Sequence, residues 1–296
     1  MNTTLQQLGF DAQDRVLIVH ADDIGMCQAT IAGITDMLDF GVLSSASVMV
    51  PCPWILEAAA FCRDHPTVDM GVHLTLNCEW SRYRWGPITT RDPATGLLDA
   101  QGYFHQWPPA TTEQADPAAV ATEVEAQIRE ALAAGIDPTH VDVHMGTAAH
   151  PRFVRSYIDA ALAQHLPPFM SKQNLAFIER SGLDQDAIAD YASLIDELPT
   201  KGVALVDNIA FLPLDNPNDQ PALMKKIIDD LQPGLTVMIF HPAKDTPELR
   251  AIAPDWPSRV ANYEVAINPE VRDHLRNSGV QLIGYRHLRD TLRAAK

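Results

Sequence analysis

Four apolar residues, Val16-Leu17-Ile18-Val19, run without a break into His20-Ala21-Asp22-Asp23-Ile24-Gly25. A short apolar run closed by polar residues and a glycine predicts a strand buried on both faces, as in a parallel sheet. The form recurs. Ser44 to Val50 ends at Pro51, Val68 to Leu76 carries Gly71-Val72-His73-Leu74, Thr139 to His144 ends in histidine, and Leu235 to Phe240 leads into His241. Between these runs the apolar spacing changes to three and four. Ile31, Ile34, Met37 and Leu38 predict a helix over 27–40, with Gly41 as its stop. Val120, Val124, Ile128 and Leu132 predict another over 117–134. Further helices are expected at 54–63, 151–165, 184–198, 222–231, 270–277 and 287–293, and extended segments at 167–170, 202–206 and 280–283.

Strand and helix therefore alternate about eight times along 296 residues. That rhythm predicts the α/β class and a single domain, 1–296, folded as a TIM-like (β/α)-barrel of seven or eight strands. A doubly wound open sheet is the alternative. No G-x-G-x-x-G follows any strand, which weighs against a dinucleotide-binding version. The stretch 77–116 breaks the rhythm: it holds Trp80, Tyr83, Trp85, Tyr103, Phe104 and Trp107 among prolines, with no helical period. Long loops inside compact domains are usually functional. We expect an ordered insertion over one end of the barrel that forms a substrate wall.

Composition narrows the function classes. The formal net charge is −16, a field that repels nucleic acid and suits a neutral or cationic small molecule. No apolar run approaches the roughly 18 residues of a membrane span. Met1 to Phe10 lacks a basic stretch followed by an apolar one, so no signal peptide is expected and the location is expected to be cytoplasmic. The four cysteines form no C-x-x-C pair and read as buried, reduced thiols. A homo-oligomer is compatible with the sequence.

Candidate chemistry lies at the strand ends: Asp22 and Asp23, His73, His144 and His241. In a parallel barrel all strand carboxyl ends share one face, so these distant residues would meet. Two neutral imidazoles and one carboxylate make a facial metal-ligand set with open positions. A second carboxylate beside such a metal can take a proton from water, and a histidine opposite can protonate a leaving amine. The inventory suits amide hydrolysis. Each residue also has a structural reading: a hydrogen-bonded core histidine, or an Asp-Asp pair that caps the next helix. His20, His140, His150 and His165 are read as structural.

His20-Ala21-Asp22-Asp23-Ile24-Gly25-Met26 resembles the N-A-D-D-F-G-L/M opening of the YdjC-like carbohydrate deacetylases. Gly71-Val72-His73-Leu74-Thr75-Leu76, Pro138-Thr139-His140-Val141-Asp142-Val143-His144, Phe240-His241-Pro242-Ala243 and Gly284-Tyr285-Arg286 are similar to later motifs of that family, in order. The resemblance implies a barrel related to the polysaccharide deacetylases and removal of acetyl groups from N-acetylated sugars. It implies that Asp23, His73 and His144 hold a divalent metal ion, Zn2+ or Mg2+. It implies that Asp22 is the general base and His241 the general acid. His20 stands where asparagine is usual, and Met145-Gly146-Thr147-Ala148-Ala149-His150 replaces a run with further histidines. These departures bear on the substrate rather than the reaction class. The rival readings are a catalytically altered metal-binding or regulatory protein on the same fold, and a hydrolase of a non-sugar amide or ester.

Overall fold

The computed structural model describes residues 3–179 and 184–294. Its strands are β1 (Arg15–Ile24), β2 (Ser45–Val48), β3 (Met70–Leu74), β4 (Val141–Val143), β5 (Asn208–Phe211), β6 (Gly234–Phe240) and β7 (Gln281–Leu282). Every pairing is parallel. The order is β4-β3-β2-β1-β6-β5, with β7 beside the start of β1. Helices intervene between strands, as parallel crossovers require.

β1 is central because it is apolar on both faces. Val16 and Ile18 pack with Leu235, Val237 and Ile239 of β6 and with Tyr285 and Leu288 in one buried cluster. Leu17, Val19 and Ala21 join the larger cluster shared with the surrounding helices. Strand alternation continues the first set to His20 and Asp22. An apolar layer on that face thus gives way to a polar layer at the carboxyl end.

The expected barrel is not closed. The seven-stranded sheet is a half-barrel with β4 and β5 at its edges. Between them, Val141 bridges Pro168 and Ser171 bridges Val206, each singly. Two adjacent prolines, Pro167 and Pro168, supply no N–H donors, so this segment cannot build a full ladder.

The helix expected over 27–40 is two, Gln28–Ala32 and Ile34–Phe40, divided at Gly33. A Cβ on Gly33 would lie 2.9 Å from the Tyr263 ring, so the break lets that ring approach. Gly41 ends the second piece at φ 82°, where glycine carries no steric penalty. Trp256–Ala266 is a helix outside the expected set, although Trp256, Val260, Tyr263 and Ile267 stand at helical spacing and pack against the core. Its inward face carries Ser258, Arg259 and Asn262, of which Arg259 reaches Asp23 and Asn262 accepts from the His241 backbone N–H. Helices Pro108–Gln114, Lys172–Glu179 and Pro247–Ile252 also fall outside the expected set. β5 lies beyond the extended segment expected at 202–206; it holds the apolar run Ile209-Ala210-Phe211, yet its residues are half-buried to exposed. Among the described residues, no helix is long and apolar enough to cross a membrane.

Candidate active site

Adjacent residues of a regular strand face opposite sides. Asp22 and Asp23 nevertheless share a site, because β1 is irregular between Ala21 and Ile24 and Asp23 has φ 64°. Aspartate tolerates this left-handed conformation better than most residues, though at some cost. The pair does not cap the next helix: Cys27 occupies that N-cap, with no side-chain hydrogen bond.

The two carboxylates converge on imidazoles from β3 and β4. Asp23 Oδ1 lies 3.5 Å from His73 Nε2 and 3.3 Å from His144 Nδ1. Asp22 Oδ2 lies 3.8 Å from His73 Nε2 and 3.7 Å from His241 Nε2. All five residues line one cavity of about 370 Å³. Asp23, His73 and His144 each offer a ligand atom within 4.8 Å of the others. Asp23 Oδ1 is buried without a hydrogen-bond partner, a costly arrangement unless something else satisfies it. That orphaned oxygen, facing two imidazole nitrogens, fits a divalent cation.

Each facing nitrogen is held by a partner on the other side of its ring. His73 Nδ1 donates to Asp142 Oδ1 at 3.0 Å. His144 Nε2 donates to Glu79 Oε2 at 3.0 Å. Carboxylates only accept when ionised, so once the two imidazoles are neutral these bonds leave Nε2 of His73 and Nδ1 of His144 as lone pairs aimed at Asp23. Asp142 is shared further: its Oδ2 accepts from His20 Nε2 at 2.8 Å and from Ser47 Oγ at 2.9 Å. Gly71 leaves room for this packing, since a Cβ there would lie 2.3 Å from His140 Cε1. His140 is in turn stacked on Tyr285 at 3.8 Å.

The charges are coupled. Burial pushes the Asp23 carboxyl up, but Arg259 and His144 outweigh it and hold it well below the usual range. Arg259 Nη1 donates to Asp23 Oδ2 at 2.7 Å, leaving Oδ1 for another partner. Burial lowers His144, yet Glu79 and Asp23 raise it to about 10. His20 is likewise raised to about 10, its burial outweighed by Asp142 and Asp22. His73 is raised by Asp142 and the Asp22–Asp23 pair against its burial. His241 moves the other way, lowered chiefly by burial. Without a cation, the cluster collects protons to balance its carboxylates.

Part of the 77–116 stretch forms a wall of the cavity through Glu79, Trp80 and Trp107. Trp80 and Trp85 are buried and meet edge to face. Trp85 Nε1 donates to Asn77 O at 2.7 Å, and Tyr83 Oη to Met26 O at 2.6 Å. The first bond ties the stretch to its own start, and the second fastens it to the segment that follows β1.

The family model described as YdjC-like protein matches residues 16–277. The chain belongs to the YdjC-like family. A carbohydrate deacetylase of Thermus thermophilus is 33% identical over 268 residues, covering 90% of this chain and 92% of that protein. A carbohydrate deacetylase of Thermoanaerobacter pseudethanolicus is 26% identical over 271 residues, covering 92% and 98%. A chitooligosaccharide deacetylase of Yersinia enterocolitica is 33% identical over 134 residues, covering 44% and 49%. A crystal structure described as a putative cellobiose-phosphate cleavage protein, from Enterococcus faecalis, shares the fold. It has a TM-score of 0.75 at 24% identity, over 93% of this chain and 99% of that one.

In this YdjC-like chain, the five residues singled out from the sequence all reach one cavity. Sequence reasoning missed Glu79, Asp142 and Arg259, and set His20 aside as structural. Asp142 had a signal, since it stands two residues before His144 on the same strand face. Glu79 and Arg259 had none, because a loop and a polar-faced helix carry them.

Proposed function

We propose that this chain is a metal-dependent hydrolase that removes acetyl groups from N-acetylated sugars or oligosaccharides. The observation that carries the reading is the meeting of Asp23, His73 and His144 around an orphaned buried oxygen, with Asp22 and His241 on the same cavity. We assign Asp23, His73 and His144 to a divalent ion, with zinc favoured over magnesium by the two imidazoles. When bound, that ion supplies Lewis acidity, polarising the acetyl carbonyl and acidifying water. Asp22 takes a proton from the attacking water. His241 is neutral at rest, because burial lowers its pKa. It receives that proton across the 3.7 Å gap from Asp22 and gives it to the sugar nitrogen as the C–N bond breaks. Arg259 holds the second oxygen of Asp23 and keeps its carboxylate ionised. The products are acetate and a free amine.

The reading treats the chain as one domain on a half-barrel derived from the TIM-like type, with 77–116 as an insertion that shapes the pocket. It places the reaction in the cytoplasm, where four buried free thiols stay reduced. The test is acetate release from a panel of N-acetylated mono- and disaccharides, with and without chelator. Metal-loaded protein should release acetate, and Asp22→Asn should lose turnover by a factor of at least 100, within the usual range for acid–base groups, while retaining the ion. No release from any member of the panel would overturn the proposal.

A further inference from the structure

Asp22 can take a proton from water only if one of its oxygens faces the cavity. Oδ2 does so, 3.7 Å from His241 Nε2 and 3.8 Å from His73 Nε2. Oδ1 is turned inward and buried, with no hydrogen-bond partner among the described residues. The terminal torsion of an aspartate is broad, so the side chain alone does not fix which way its carboxylate faces. A group behind Asp22 has to fix it.

The group behind it is His20, buried on the same strand. Its Nε2 stands 3.1 Å from Asp22 Oδ1. The same nitrogen lies 2.8 Å from Asp142 Oδ2 and 3.2 Å from Ser47 Oγ. Facing two carboxylates, Nε2 carries the hydrogen, because an ionised carboxylate only accepts. The N–H is directed at Asp142, and Asp22 Oδ1 is attracted to it from the side, close but out of hydrogen-bond alignment. The ring is fixed by its neighbours, with His140 edge-on at 4.9 Å and Tyr285 edge-on at 5.6 Å. Its other nitrogen, Nδ1, is buried with no hydrogen-bond partner among the described residues. Buried polar atoms are bonded as a rule, so a histidine kept for packing alone would not leave one idle. The ring is placed for what Nε2 does. Asp142 Oδ1 meanwhile accepts from His73 Nδ1 at 3.0 Å, so one carboxylate anchors both His20 and a candidate metal ligand.

Resting on the deacetylase reading above, we propose that His20 is a positioning residue for the reaction: its Nε2 holds Oδ1 of Asp22 inward and so keeps Oδ2 turned to the water and to His241. It touches neither the substrate nor the ion and acts through Asp22. Its own hydrogen stays on Nε2 throughout, while the proton from water passes by way of Asp22 Oδ2.

The experiment measures kcat and KM for acetate release by the metal-loaded full chain, on the N-acetylated sugar that wild type turns over fastest. Glutamine and methionine are alike in length, and glutamine Nε2 lies as many bonds from Cβ as imidazole Nε2 does. His20→Met therefore removes the donor, and His20→Gln puts one back. His20→Met should lower kcat about 10–100-fold, the scale for a misplaced catalytic group, with KM within about twofold of wild type and the ion still bound. His20→Gln should return kcat to within about threefold of wild type. In an Asp22→Asn background His20→Met should cost less than about twofold more, since the effect runs through Asp22. Four results overturn the proposal and leave the deacetylase reading intact. They are a wild-type kcat in His20→Met, a glutamine no better than methionine, the same fold loss with and without Asp22, and loss of the ion from His20→Met. Should both variants fail to fold, the nitrogen spectrum of 15N-histidine-labelled protein decides. Asp22→Asn should shift the His20 Nε2 resonance, and an unmoved resonance overturns the proposal. No acetate release by wild type from any N-acetylated sugar overturns both readings.

Discussion

Raising the pH should tighten metal binding, and the cause is legible at His144. Its Nδ1 stands 3.3 Å from Asp23 Oδ1 and its Nε2 3.0 Å from Glu79 Oε2. These carboxylates raise it from 6.5 to about 10. Metal ligation needs the neutral imidazole, so an incoming cation must expel a proton. Below pH 10 each expelled proton makes the dissociation constant fall about tenfold per pH unit. From pH 6.5 to 8.5 the gain is about 100-fold for His144 alone. The assay is calorimetric titration of stripped protein in buffers of different ionisation enthalpy, which counts the protons released. Glu79→Gln keeps an acceptor for Nε2 but removes a charge, so it should lower the proton count and flatten the slope. A dissociation constant independent of pH over that range, with no proton released, would refute the reasoning. The sign reverses for folding of the metal-free protein. The His144 contribution is full below 6.5 and fades as pH rises through about 10.

Gly71→Ala should destabilise the protein by about 1–3 kcal/mol, because its Cβ would lie 2.3 Å from His140 Cε1 and Tyr285 blocks the ring's retreat at 3.8 Å. An unchanged urea midpoint would contradict this. Arg259→Met should cost about 3–5 kcal/mol, the range for removing one partner of a buried ion pair, since Arg259 links Asp23 and Asp255 in the interior. Equilibrium unfolding of chelated protein measures it, and a loss under about 1 kcal/mol would show that the pair is dispensable.

The strand that carries Asp22 was legible because Val16 to Val19 are buried on both faces, which leaves an unbroken apolar run. The same holds for β6 and the approach to His241. β5 was misplaced because the neighbouring Val203-Ala204-Leu205-Val206 is an equally apolar run and is buried, yet it reaches the sheet only through the single bridge of Val206 to Ser171. The helix that carries Arg259 has the apolar spacing of Trp256, Val260, Tyr263 and Ile267, but that stripe does not tell that Ser258, Arg259 and Asn262 beside it are buried. Barrel closure was overestimated because strand counting does not register the missing donors of Pro167 and Pro168. The candidate site divides in the same way. Its five strand-end residues follow from parallel topology, which delivers every carboxyl end to one side. The partners that aim them do not, because Glu79 sits on an irregular stretch and His20 and Asp142 meet only across the sheet. The turn at Asp23 is also a folded-state property: alternation alone would have sent one of the two aspartates away.

The most direct test is metal content after exhaustive dialysis against a buffered divalent ion, measured by elemental analysis on folded protein. Wild type, Asp22→Asn and His241→Ala should each keep one ion per chain. Asp23→Asn, His73→Ala and His144→Ala should each lose it. Retention of the ion by all three of the latter, or no ion in wild type, would contradict the account.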